Sequence, residues 1–177
     1  MVHTTAENFT QTMRRSIALV EPPVAIAGQS RTWQFKYTTA TPLVKGAKIK
    51  FDLLSKGRPI DWEIPSFNLK AKTNVIYLQM PNDQVIEAIE VESASTNLSS
   101  FEFTLDEEIK VGETLTIVIG LPPKSKEDPK SCGNMCQKVT GRRKPFHLYI
   151  DAKGKGRYQD DPEVFYNRCP RWSIKND

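Results

Sequence analysis

Apolar and polar residues alternate with a period of two through most of this chain, and a helical period is nearly absent. That pairing restricts the chain to antiparallel β architecture. Trp33, Phe35 and Tyr37 alternate with Gln34, Lys36 and Thr38. Ile49, Phe51 and Leu53 alternate with Lys48, Lys50 and Asp52. The same pattern returns at Phe101–Phe103–Leu105, Leu115–Ile117–Ile119 and Phe146–Leu148–Ile150. Each run has one apolar and one polar face, as a sheet with one wet face requires. Residues 74–80 are apolar on both faces, which predicts a central strand covered on each side. Residues 85–91 and 164–168 read as shorter strands. Residues 17–20 and 24–27 flank Pro22-Pro23 and read as an edge strand broken by a proline step.

That makes about nine strands. With twelve prolines and nine glycines spread through 177 residues, many short strands joined by turns predict an all-β, antiparallel two-sheet β-sandwich, Ig-like or jelly-roll-like. A closed barrel is the runner-up. Residues 1–16 are expected to form an arm or a short helix, and residues 17–177 a single sandwich domain. Residues 142–166 carry a hairpin signature, two alternating segments around a Gly-rich turn. Two loops are long enough to imply either a role or disorder: residues 55–72, braced by Pro59 and Pro65, and residues 121–145.

The net charge is +4, and its location matters more than its size. Residues 120–145 hold seven basic side chains against Glu127 and Asp128, a local +5 that accounts for the whole excess. Most such runs are solvated faces. If this one recognises an anionic partner, the candidates are Lys124, Lys126, Lys130, Arg142, Arg143 and Lys144. The arginines are favoured because a guanidinium pairs bidentately with a carboxylate or phosphate. Trp62 in the proline-braced loop is the candidate for stacking on a sugar ring, although its neighbours Ile60, Ile64 and Phe67 favour a buried plug.

Catalytic patterns are scarce. The histidines are His3 and His147 alone, and no nucleophile elbow, phosphate loop or dinucleotide fingerprint occurs. Asp160-Asp161 with Glu163, and Asp106-Glu107-Glu108, sit at expected turns, where acids are solvated and cap the backbone. Asp151-Ala-Lys-Gly-Lys-Gly-Arg resembles a calcium loop only superficially, because Lys153 and Lys155 occupy ligand positions. Cys132, Cys136 and Cys169 leave two readings open: free thiols, or a Cys132–Cys136 disulfide in an oxidising compartment. A zinc set of these three with His147 fits no known spacing. The chain is therefore read as non-catalytic, without cofactor or metal. Its expected ligands are a protein partner or adjacent domain, or alternatively a carbohydrate or other polyanion, with nucleic acid ranked behind these. No apolar run is long enough for a membrane helix. The first residues lack a signal-peptide pattern, which leaves a cytosolic protein or a mature secreted or periplasmic form.

Four segments carry a family resemblance. WQFKYT at 33–38, followed by VKGAKIKF at 44–51, resembles the opening of a large, poorly characterised bacterial family. So do RKPFHLYIDAKGKGRY at 143–158 and PEVF at 162–165. In that family an N-terminal β-sandwich precedes a domain similar to the PHP (polymerase and histidinol phosphatase) metal-dependent hydrolases. The resemblance spans most of residues 17–168 and implies an accessory sandwich domain. The hydrolase histidines have no counterpart here, so it carries over no catalytic residue.

Overall fold

The computed structural model describes residues 15–92 and 99–170, so the expected arm at 1–16 lies almost wholly outside them. The alternating segments become β1 (Ile17–Glu21), β2 (Ser30–Arg31), β3 (Trp33–Thr38), β4 (Lys48–Asp52), β5 (Val75–Gln79) and β6 (Val85–Glu87). They continue as β7 (Ile89–Glu92), β8 (Ser99–Thr104), β9 (Thr114–Gly120), β10 (Asn134–Met135), β11 (Gly141–Asp151) and β12 (Glu163–Cys169). Two five-stranded sheets form, in the orders β1-β3-β9-β5-β6 and β12-β11-β4-β8-β7, with a two-stranded ribbon β10-β2 beside them. All strand pairs are antiparallel. The fold is a β-sandwich, and no helix occurs among the described residues.

The inward set is the one the alternation predicts. Trp33, Phe35, Tyr37, Phe51, Phe103, Ile117, Leu148 and Ile150 are all buried in one shared core. Phe35 sits at its centre, with ring centroids 5.0 Å from Phe51, 4.7 Å from Phe146 and 5.6 Å from Phe165. The tilted and edge-on angles suit the ring quadrupoles. β5 is covered on both faces, as its sequence implies. Ile76 and Leu78 join the core, while Val75 and Tyr77 pack outward with Val118 under Leu69 and Ala71 of the loop at 55–72.

Twelve strands form where about nine were expected. The segment at 85–91 divides at Ala88, because β6 pairs with β5 in one sheet and β7 with β8 in the other. Two further strands, β2 and β10, have two residues each, too short to show any period. On the opposite side of the sandwich the chain also crosses between sheets. After β1 it turns at Pro22-Pro23, and the Ala25 N–H donates to the Arg168 carbonyl (2.7 Å) while the Arg168 N–H donates to that of Pro23 (3.0 Å). These crossings cover part of both sheet edges, where unpaired backbone would invite aggregation.

Candidate functional site

The hairpin register builds an arginine cluster. Gly141 lies opposite Cys169 and Lys144 opposite Asn167, so Arg142 and Arg143 together face the single residue Arg168. This is a β-bulge, one extra residue on one strand, which re-aims side chains. In a regular strand Arg142 and Arg143 would point to opposite faces. Here both are exposed, and the next residue, Lys144, turns inward. Arg142, Arg143 and Arg168 line an open cleft of about 1000 Å³ together with Thr140, Gly141 and Pro170. The Arg143 guanidinium lies 5.3 Å from the Tyr166 ring centroid, a cation–π contact that orients it. Among the described residues none of the three arginines joins an ion pair.

Exposed apolar side chains adjoin the residues of the cleft: Val139 precedes Thr140, and the Tyr166 ring lies against Arg143. Val24 bridges Arg168 across the sheet crossing, and Val24, Val139 and Tyr166 are all more than 40% exposed. A basic centre with an aromatic and aliphatic rim matches the residue types enriched at protein interfaces.

The six basic residues expected to act together do not share one surface. Arg142 and Arg143 line the cleft. Lys124, Lys126 and Lys130 are exposed on another stretch of the loop and do not line it. Lys144 is withdrawn from the surface. Its ammonium donates to the Leu54 carbonyl at 2.8 Å and lies 5.4 Å from the Phe146 ring. Burial pulls this amine down to about 8, although Asp61 and Asp52 act the other way. Arg168, the third arginine of the cleft, was missed. Its partners are set by a bulge that no local pattern announces.

Trp62 has no open face for a sugar. It is 1% exposed and plugs one end of the sandwich, 4.9 Å from Trp33 and 5.0 Å from Phe146 between centroids. Its indole N–H donates to Asn134 Oδ1 at 2.7 Å, and that of Trp33 to the Asn134 carbonyl at 3.0 Å. Asn134 Nδ2 donates to the Glu63 carbonyl and to Asn74 Oδ1. This buried asparagine ties the two long loops to each other and to the core.

Of the two readings left open for the cysteines, the structure has the free thiols, at Cys132, Cys136 and Cys169. Cys136 Sγ is buried and donates to the Ile26 carbonyl at 2.9 Å, whereas Cys132 is half-buried beside Glu127. Burial pushes the Cys136 and Cys169 thiols up, which keeps them protonated and unreactive. A chromogenic disulfide reagent should modify one thiol of the native protein quickly, at Cys132, and all three after denaturation. Two fast thiols would contradict this packing. No cluster of His, Cys, Asp and Glu suited to a metal occurs among the described residues, and no helix there is long and apolar enough to cross a membrane.

The chain is similar to three chlamydial proteins. An uncharacterised Chlamydia pneumoniae protein is 49% identical over 153 residues. Uncharacterised proteins of Chlamydia muridarum and Chlamydia trachomatis serovar D are 46% and 45% identical over the same length. Each alignment covers 86% of this chain and 24% of the relative. The chain thus spans about a quarter of the length of the curated relatives it matches, consistent with a domain of a longer protein. No family model matches it, so the comparisons lend no support to the PHP link. No solved structure matches it either.

Proposed function

We propose that this sandwich is a non-catalytic interaction module that binds an acidic surface on a neighbouring part of a longer polypeptide. The observation that carries this reading is the bulge at Arg142–Arg143, which gathers into one cleft three arginines that join no ion pair among the described residues, beside exposed apolar side chains. Charge complementarity selects an acidic partner, and the rim selects protein over a fully hydrated polyanion. The relatives, about four times the length of the matched region, supply a candidate neighbour. If the PHP resemblance extends to that neighbour, the partner is a hydrolase-like domain and this module is its accessory. Catalysis is left out on sequence grounds: the chain holds two histidines and carries no nucleophile elbow, phosphate loop or dinucleotide fingerprint.

The test uses the remainder of the Chlamydia pneumoniae relative, expressed as a separate polypeptide. Calorimetry at low and moderate salt should detect binding that weakens as salt rises, since exposed charges are screened over about 10 Å at 0.1 M. Replacing Arg142, Arg143 and Arg168 with serine should weaken binding about tenfold or more and flatten the salt dependence. No binding, or an unchanged affinity and salt slope, would remove the arginine cleft from the argument.

A further inference from the structure

The other end of the β11–β12 hairpin holds a second basic concavity, built differently from the first. The connection following β11 runs Ala152-Lys-Gly-Lys-Gly-Arg-Tyr158 and starts from Asp151, whose side chain is buried. The Gly156 N–H donates to one Asp151 carboxylate oxygen at 2.6 Å and the Lys153 N–H to the other at 3.3 Å. Burial alone would push this carboxyl up. The backbone N–H groups of Lys155, Gly156, Lys153 and Arg157 overcome that and hold it below its usual range. Asp151 lines the same concavity as the cations, with both carboxylate oxygens engaged by backbone N–H groups.

The loop is rigid for a second reason. Gly154 has a φ of +62°, and a Cβ there would sit 2.2 Å from the Gly46 carbonyl oxygen. Backbone packs directly on backbone, and only glycine fits. The Tyr158 hydroxyl donates to Glu102 at 2.5 Å, and Lys50 lies 4.5 Å from its ring centroid, which anchors the far side of the loop. Lys153, Lys155 and Arg157 stand at alternate positions on this frame. All three are exposed, and with Asp151, Tyr158 and Gln159 they line a concavity of about 430 Å³, three cations against one carboxylate. None of them joins an ion pair among the described residues.

We infer that this loop is an anion site whose ligand is a phosphomonoester, held by Lys153, Lys155 and Arg157. Two lysines supply compact point charges and the arginine a planar fork, a combination that suits the several oxygens and double charge of a phosphate. A frame already ordered by Asp151 and Gly154 loses little backbone entropy on binding. The inference stands apart from the arginine cleft, which lies at the opposite end of β11.

The experiment follows backbone amide resonances of the isotope-labelled chain during titration with glycerol 3-phosphate. A second arm uses phosphatidylcholine vesicles with and without phosphatidic acid. Saturable shifts confined to residues 151–159 are expected. They should require at least tenfold more ligand in the Lys153→Gln/Lys155→Gln/Arg157→Gln variant. The Lys124→Gln/Lys126→Gln/Lys130→Gln variant removes the same charge from another exposed loop and should bind as the parent does. Saturation by the soluble ester identifies a small-molecule source, and binding restricted to phosphatidic acid vesicles a headgroup. Shifts that never saturate, or equal weakening in the two variants, would reduce the site to general positive charge and overturn the inference.

Discussion

Replacing Asn134 with alanine is expected to lower the unfolding free energy by about 2–4 kcal/mol, enough to shift a denaturant midpoint without changing the slope. The side chain makes three hydrogen bonds: it accepts from the Trp62 indole at 2.7 Å and donates to the Glu63 carbonyl at 2.9 Å and Asn74 Oδ1 at 2.6 Å. Truncation leaves the Trp62 N–H buried with no acceptor, which by itself costs about 1–3 kcal/mol. The two abandoned acceptors add to that. The effect should also be local in its first stages. Without Asn134 the loops at 55–72 and 121–140 lose their shared anchor, so their amides should exchange faster than those of β3 and β9. As a comparison, Val139→Ala at an exposed position should stay within about 0.5 kcal/mol of the parent. A loss below about 1 kcal/mol for Asn134→Ala would mean that water replaces the side chain and that the anchor is dispensable.

Lys144→Met is expected to stabilise the protein at neutral pH by about 1–3 kcal/mol. Burial draws the amine down to about 8 in the folded state, against about 10.4 when unfolded. The folded protein therefore gives up this proton before the unfolded chain does. Below pH 8 both states are charged and the folded state bears the full desolvation penalty. Between pH 8 and about 10 the unfolded chain binds more protons at this site, so the lysine's contribution to the parent's stability becomes less unfavourable as pH rises. Cys136 and Cys169, pushed up by burial, oppose this from about pH 8.5, and Tyr37, Tyr77 and Tyr158 above about pH 10, but they act on parent and variant alike. The advantage of the methionine variant should thus be largest at pH 7 and shrink toward pH 10. Denaturant melts of both proteins across that range provide the check. A variant less stable at pH 7, with a difference that ignores pH, would mean that the bond to the Leu54 carbonyl outweighs the burial of charge.

The lysine and its neighbours also explain why the basic segment was only half legible. Counting charges along 120–145 gives an accurate local excess, but it treats each side chain as solvated. The bulge separates Arg142 and Arg143, sent outward, from Lys144, sent into the end of the sandwich. A one-residue change of register moves a side chain to the other face of a strand, and nothing in RRK signals where the extra residue falls. Arg168 joins the pair from a strand 25 positions further on. Asn134 escaped notice for a related reason: its four bonding partners lie in three distant segments, and an asparagine between Gly133 and Met135 looks like any turn residue.

What the sequence determined by itself was the class of fold and the identity of its core. Period-two alternation depends only on which residues prefer to leave water, and that preference is carried by each residue alone. The eight predicted inward residues are all buried for this reason. The doubly covered β5 was equally legible, because apolar residues on both faces demand cover on both faces. The tertiary structure alone decided how strands were shared between sheets, where the bulge fell and which charges met. Those outcomes depend on pairing between segments far apart in the chain, and the free energy of pairing belongs to both partners at once. It divided the segment 85–91 at Ala88, withdrew Lys144 and Trp62 from the surface, and placed three arginines at one end of a hairpin and two lysines with an arginine at the other.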